Sequence, residues 1–225
     1  YNSMYKNIQT FFLLDYATEH ELIEAFIKYM QQERFDLWIS WNSSFDYDYM
    51  YHRIPDFAKR ISPINSARMG ENRDIFYPAG ISIIDFLKWF KKIYMREASY
   101  ALDYIGQKHL GRGKQYKNVD FSKVNETVKL RNIDDVAMML ELENKYNIIS
   151  YYDEVRRLSK VQWEDLIYNS RIVESLLFDE AIKENIVLPN KQRSFGENEE
   201  VSFQGAIRDI EKPGLYKDIS DCDLS

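Results

Sequence analysis

The sequence holds a single cysteine, Cys222, among 225 residues, which excludes a disulfide framework within one chain. Histidine is almost as scarce. His20, His52 and His109 lie too far apart for the spacing of a histidine or cysteine zinc site, so surface or structural roles are expected of all three. No apolar run approaches the roughly 18 residues that a membrane span needs. The opening residues YNSMYKNIQT have neither the charge layout nor the apolar segment of a signal peptide. An intracellular location is therefore expected, and the missing initiator Met points to a start inside a longer protein. Positive charge is not in excess either. The 30 Lys and Arg against 36 Asp and Glu give a net charge of -6, so bulk electrostatics offer no support for a nucleic-acid-binding surface.

Apolar and aromatic residues are plentiful, at 45% and 15%, which is enough for a sizeable core and excludes a disordered chain. The most informative stretch is WISWNSSFDYDY, residues 38–49. Its first part reads as a short buried strand over 37–41, broken at once by the turn signal Asn42-Ser-Ser. An amide, an aromatic and a carboxylate follow at tight spacing, at the position where α/β proteins place chemistry. A plainer reading exists for each residue: Asn42 as turn, Phe45 as core, Asp46 as the cap of a helix running through Tyr49 and Arg53.

Elsewhere Thr18-Glu-His-Glu21 forms a capping box for a helix whose apolar stripe is Leu22, Phe26 and Tyr29 or Met30. Residues 60–80 read as a loop or irregular hairpin. Ile81 to Asp85 is a second apolar strand that runs straight into a helix from Phe86 to Met95, a further sign of an α/β layer. Ser99 can cap a short helix with Leu102 and Ile105 facing inward, closed by Gly106 and Gly111. The most basic run, Lys108 to Lys117, lacks the glycine and Ser or Thr of a phosphate-binding loop, leaving a solvated loop or a DNA-backbone contact. A long helix is expected over 132–149, with Asn132 as cap, Asp134 and Asp135 in its first turn, and Ile133, Val136, Leu140 and Ile148 inward. Two amphipathic helices and a Pro-terminated strand at 185–190 follow. After a polar linker come two strands around the Pro213-Gly214 turn.

Trp41-Asn-x-x-Phe45-Asp46-x-x-Tyr49 resembles the second exonuclease motif of family B DNA polymerases. The run SYALDYIGQKHLGRGK is similar to the stretch between their second and third exonuclease motifs. Arg131-Asn-Ile-Asp-Asp135-Val resembles the third, with Asp135 in the place of the acid and Arg131 where the family has a Tyr. Residues 163–190 look like the family's connection into the polymerase core, and 201–225 like the run into polymerase motif A, with Asp223 in the place of the metal-binding acid and Asp221 as the other candidate. Five segments in family order, from Asp36 to Asp223, carry the resemblance.

It implies an RNase H-like 3′-to-5′ exonuclease fold with a mixed sheet lacking its N-terminal strands (1–160), a helical connector (161–190), and a linker with the first palm strands (191–225). It further implies a nucleotidyltransferase for DNA replication, with proofreading by two-metal phosphodiester hydrolysis. Asp46 and Asp135 would hold exonuclease Mg2+ or Mn2+ ions, and Asp223 the polymerase metals. Asn42, Phe45 and Tyr49 would hold the terminal nucleotide, with Arg131 placed to meet a phosphate. The negative net charge is compatible with this, since carboxylates gather at a metal site. Implied partners are DNA, as a single-stranded 3′ end and as primer-template, and dNTPs, with no membrane. The location would be cytoplasm or nucleoid, nucleus or viral replication site. The family's first motif, Asp-x-Glu, has no match before residue 46, so the fragment alone is expected to be inactive. The rival expectations are a degenerate exonuclease-fold scaffold or DNA-binding module and, less well matched, a stand-alone exonuclease.

Overall fold

The computed structural model describes residues 9–70, 75–117 and 119–189. Its contacts divide the chain into two units, Tyr1–Ile186 and Val187–Ser225. The expected palm strands, Cys222, Asp221 and Asp223 fall outside the described residues, and the account below concerns the first unit.

Helix α1 (Glu19–Glu33) starts as the capping box predicts. The Thr18 side chain accepts from the Glu21 N–H, a donor that the first turn leaves free, while Glu21 Oε2 reaches one residue beyond the cap and accepts from the Ala17 N–H. Strand β1 (Leu37–Ser40) follows and pairs in parallel with β4 (Ser82–Asp85), Leu37 opposite Ser82 and Ser40 opposite Asp85. Between them lie α2 (Ser43–Arg53), α3 (Phe57–Ile61) and the antiparallel pair β2 (Ala67–Met69) and β3 (Phe76–Pro78). The irregular hairpin expected at 60–80 is thus a helix end followed by a short hairpin. After β4 come α4 (Phe86–Ile93), α5 (Leu102–Ile105), α6 (Glu126–Tyr146), α7 (Ile148–Ser159) and α8 (Asn169–Lys183).

The parallel pair lies between two cores. Leu37, Ile39 and Ile84 face a cluster built from α4, α5, α6, α7 and Leu166, while Trp38 and Ile83 face a second cluster built from α1, α2, α3 and Ile81. This period-2 alternation explains why both strands are apolar at nearly every position: a parallel pair covered on both faces has no solvent side to leave polar. A π-helical turn, Gly106–Leu110, continues α5, and a Cβ on Gly106 would lie 2.8 Å from the Arg112 carbonyl oxygen and run into Met138 of α6. Glycine lets the two helices close.

Several expectations need correction. The described residues contain two separate two-stranded sheets instead of one mixed sheet. The long helix begins six residues earlier than expected, capped by Asn125, whose side chain accepts from the Val128 N–H at 3.1 Å, and Asn147 separates it from α7. Asp134 and Asp135 therefore stand in its middle. Its buried stripe is Asp134, Ala137, Met138 and Leu142, while Val136 and Leu140 are exposed. Residues 163–167 form a 3-10 turn ahead of α8, and 186–189 carry no strand.

Candidate active site

In α/β sheets a usual ligand position lies beyond the carboxyl ends of neighbouring parallel strands, where the chain leaves the sheet. Here β1 leaves it through Asn42, whose backbone is left-handed (φ 64°, ψ 57°), a conformation Asn tolerates better than most residues. The Asn42 carbonyl accepts from the Phe45 N–H at 3.1 Å, so the chain turns directly into α2.

The orientation of α2 is set by its inner side. Ser43 and Tyr47 are buried, Tyr47 completely. Its ring stacks on Tyr77 at 5.0 Å and meets Trp38 edge-on, and its hydroxyl donates to the Phe76 carbonyl at 2.6 Å. Burial pushes that phenol well above its ordinary pKa, so it stays a neutral donor. With Ser43 and Tyr47 inward, Asn42, Phe45, Asp46 and Tyr49 share the outer face at i, i+3, i+4 and i+7. Phe45 is 73% exposed and Tyr49 47%, which excludes the reading of Phe45 as core. Asp46 lies in the first helical turn instead of at the strand end or at the cap, which is Asn42. Its side chain reaches solvent, yet enough protein surrounds it that desolvation raises the carboxyl above its ordinary pKa. Among the described residues it makes no hydrogen bond or ion pair. Tyr49 donates to Glu19 of α1 and accepts from Arg53 at 3.2 Å.

The α6 side has a different character. Asp135 Oδ2 accepts from Lys114 Nζ at 2.7 Å, and its Oδ1 lies 3.6 Å from Arg131 Nε without a hydrogen bond. Arg131 also donates to the Tyr116 carbonyl. Beside it, buried Asp134 accepts from Arg112 Nη1 at 2.9 Å and from the Gln115 N–H at 2.8 Å, and Arg112 forks onto Glu141 at 2.8 Å through both Nε and Nη2. These carboxylates hold the Arg112 guanidinium in its charged form, its pKa raised. The basic run is therefore tied to the fold at its centre and solvated at its ends: Arg112 and Lys114 pair with α6, while the half-exposed Lys108 pairs with Glu97 and the exposed Lys117 approaches Asp103 at 4.0 Å. His109 is structural, bridging Glu97 at 2.9 Å and the Tyr146 hydroxyl at 2.8 Å, so Tyr146 is committed far from Asp135's partners.

The donor set fits a two-metal site poorly. Asp135 is paired with Lys114 and flanked by Arg131, and no group of three or more His, Cys, Asp and Glu that could hold a metal ion gathers among the described residues. The motifs did not single out Asp85 or Glu141, and Arg112 and Lys114 entered only as members of the basic run. Asp85 carried one readable signal, as the polar end of an apolar strand parallel to another that ends in Ser40. Glu141 belonged to no chemical pattern, and the pairing of Arg112 and Lys114 with α6 could not be read from the basic run alone.

These features define an α/β unit with an acid-bearing helix at the carboxyl end of a parallel strand pair. Residues 2–105 match the family described as DNA polymerase family B, exonuclease domain, a span that includes the whole α2 stripe and stops before Arg131. The chain is 28% identical over 230 residues to a DNA-directed DNA polymerase of Escherichia phage RB69; the alignment covers 94% of this chain and 25% of that protein. The chain thus spans about a quarter of the length of that relative. Together the two matches support a family B polymerase exonuclease fragment, the resemblance that the motifs carried. Among the described residues, no helix is long and apolar enough to cross a membrane.

Proposed function

We propose that the chain is part of a DNA-directed DNA polymerase and supplies most of a 3′-to-5′ proofreading exonuclease domain of RNase H-like fold. Residues 1–160 would belong to that domain, 161–190 to the connector and 191–225 to the start of the palm, where Asp223 would serve the polymerase metals. The supporting observation is the exposed stripe Asn42, Phe45, Asp46 and Tyr49 at the strand ends. A frayed 3′-terminal nucleotide offers a flat base, hydrogen-bonding edges and a phosphodiester. Phe45 and the half-exposed ring of Tyr49 offer stacking faces, Asn42 a polar edge, and Asp46 a carboxylate that no neighbour among the described residues neutralises. The partners would be single-stranded 3′ ends, primer-template and dNTPs, and the setting a cellular or viral replication site.

Hydrolysis of a phosphodiester in this family generally uses divalent metals, Mg2+ or Mn2+ in this reading. The described residues would need further carboxylates to hold them, so the fragment alone would be inactive. A second reading rests on the Lys114–Asp135–Arg131 cluster, which suits a degenerate module that binds DNA or acts as scaffold. The deciding experiment is primer extension and trimming of a labelled single strand by the full-length protein with Mg2+ or Mn2+, with and without Asp46→Ala. Trimming that disappears in Asp46→Ala while extension persists is the expected result. Extension without any trimming in the unaltered protein would replace it with the second reading.

A further inference from the structure

Asp85 is only 7% exposed, at the end of β4 and in register with Ser40 at the end of β1. Partners in a ladder share a face, so both side chains point to the side of Trp38 and Ile83, where α2 begins. Its Oδ1 accepts from the Asn42 N–H at 3.1 Å. Among the described residues its Oδ2 accepts no hydrogen bond, with Lys88 Nζ 3.8 Å away, and the Ser40 hydroxyl on the same face is also without a hydrogen-bond partner.

A buried carboxylate with one hydrogen bond and one distant, exposed lysine adds little stability by itself, because burial offsets much of what such partners return. What Asp85 does hold is the one residue whose backbone sets the site. The Asn42 N–H is fixed by Asp85 and the Asn42 carbonyl by the Phe45 N–H, so a chain of two hydrogen bonds runs from β4 through the left-handed turn into the first turn of α2. We propose that Asp85 is a positioning residue for the α2 stripe: by accepting the Asn42 N–H it holds the left-handed turn that aims Asn42, Phe45 and Asp46. The proposal rests on the exonuclease reading for its consequence, and on geometry alone for the tether. Acceptor capacity, and not charge, is what the tether requires, so an amide oxygen at this position serves as well.

Two measurements on Asp85→Ala and Asp85→Asn test it. Amide hydrogen exchange at Asn42 is expected to speed up at least about 10-fold in Asp85→Ala relative to the rest of β1, and to stay protected in Asp85→Asn. Trimming of a labelled single strand by the full-length protein is expected to fall in kcat by about 100-fold in Asp85→Ala, as for a misplacement of about 1 Å, and to recover to within about threefold in Asp85→Asn. An Asn42 amide as protected in Asp85→Ala as in the unaltered chain would overturn the tether. So would loss of trimming in Asp85→Asn with Asn42 still protected, because charge and not position would then be at work. Should Asp85→Ala fail to fold, the Asp85→Asn pair of measurements decides alone, with protection and trimming both expected to persist. If the unaltered full-length protein does not trim at all, the exonuclease reading falls while the exchange result still decides the tether.

Discussion

Helix α2 and helix α6 each carry an acid that the family motifs single out, and they treat it in opposite ways. On α2, Asp46 stands on an exposed stripe beside Phe45 and Tyr49, without a counter-charge, and its carboxyl is pushed above the ordinary value by desolvation. On α6, Asp135 is paired with Lys114 and flanked by Arg131, and its neighbour Asp134 is buried under Arg112. The α2 arrangement costs stability and leaves the group available to a ligand; the α6 arrangement joins the loop at 112–116 to the helix and leaves little of the acid free. A sequence motif names an acid without saying which of these states it is in.

The comparison can be tested from the α6 side first, where the largest effect is expected. Arg112→Ala leaves Asp134 buried without its guanidinium, a loss of about 3 kcal/mol, read as a lowered denaturant midpoint with an unchanged slope. A loss below about 1 kcal/mol would mean that the network contributes little beyond a surface pair. Lys114→Ala removes one cation from the more accessible Asp135 and is expected to cost about 1 kcal/mol, shrinking as salt is added. An undiminished cost at high salt would point to packing by the lysine stem instead of its charge.

Much of the α2 side was readable in advance. The spacing Asn42-x-x-Phe45-Asp46-x-x-Tyr49 is one face of a helix, and Thr18 with Glu21 announced α1. The strands at Leu37 and Ser82 and the helix from Phe86 were legible because burial on both faces leaves an unbroken apolar run. The α6 side was not readable, for a specific reason. Asp134 occupies the stripe that faces the core, and its partner Arg112 lies 22 positions earlier, so apolar periodicity selected Val136 and Leu140, which are exposed. The true cap, Asn125, was hidden by the polar turn ETVKLR that follows it. The hydrogen bond from Asn42 to Asp85 spans 43 positions, and no local pattern encodes it.

The smallest effect is expected on the α2 side, with the opposite sign. A raised carboxyl pKa means that the folded chain holds the proton more tightly than the unfolded one, so this group's contribution to stability falls as pH rises from its ordinary value of 3.8 through the folded value. Asp46→Asn removes that penalty: a gain in Tm of about 2 °C is expected at pH 7, fading below the ordinary value, where the native group is protonated anyway. A loss of Tm at pH 7 would show that Asp46 makes a stabilising contact and belongs with Asp135.

The central claim is that the α2 stripe receives a 3′-terminal nucleotide, and the most direct test is binding of a single strand ending in a fluorescent base to the full-length protein, comparing Phe45→Ala with the unaltered chain. Loss of a stacking face is expected to weaken binding by about 10-fold, with quenching of the terminal base lost and Tm unchanged because Phe45 packs against so little. Equal affinity and equal quenching in the two proteins would contradict the claim and remove the stripe from the site.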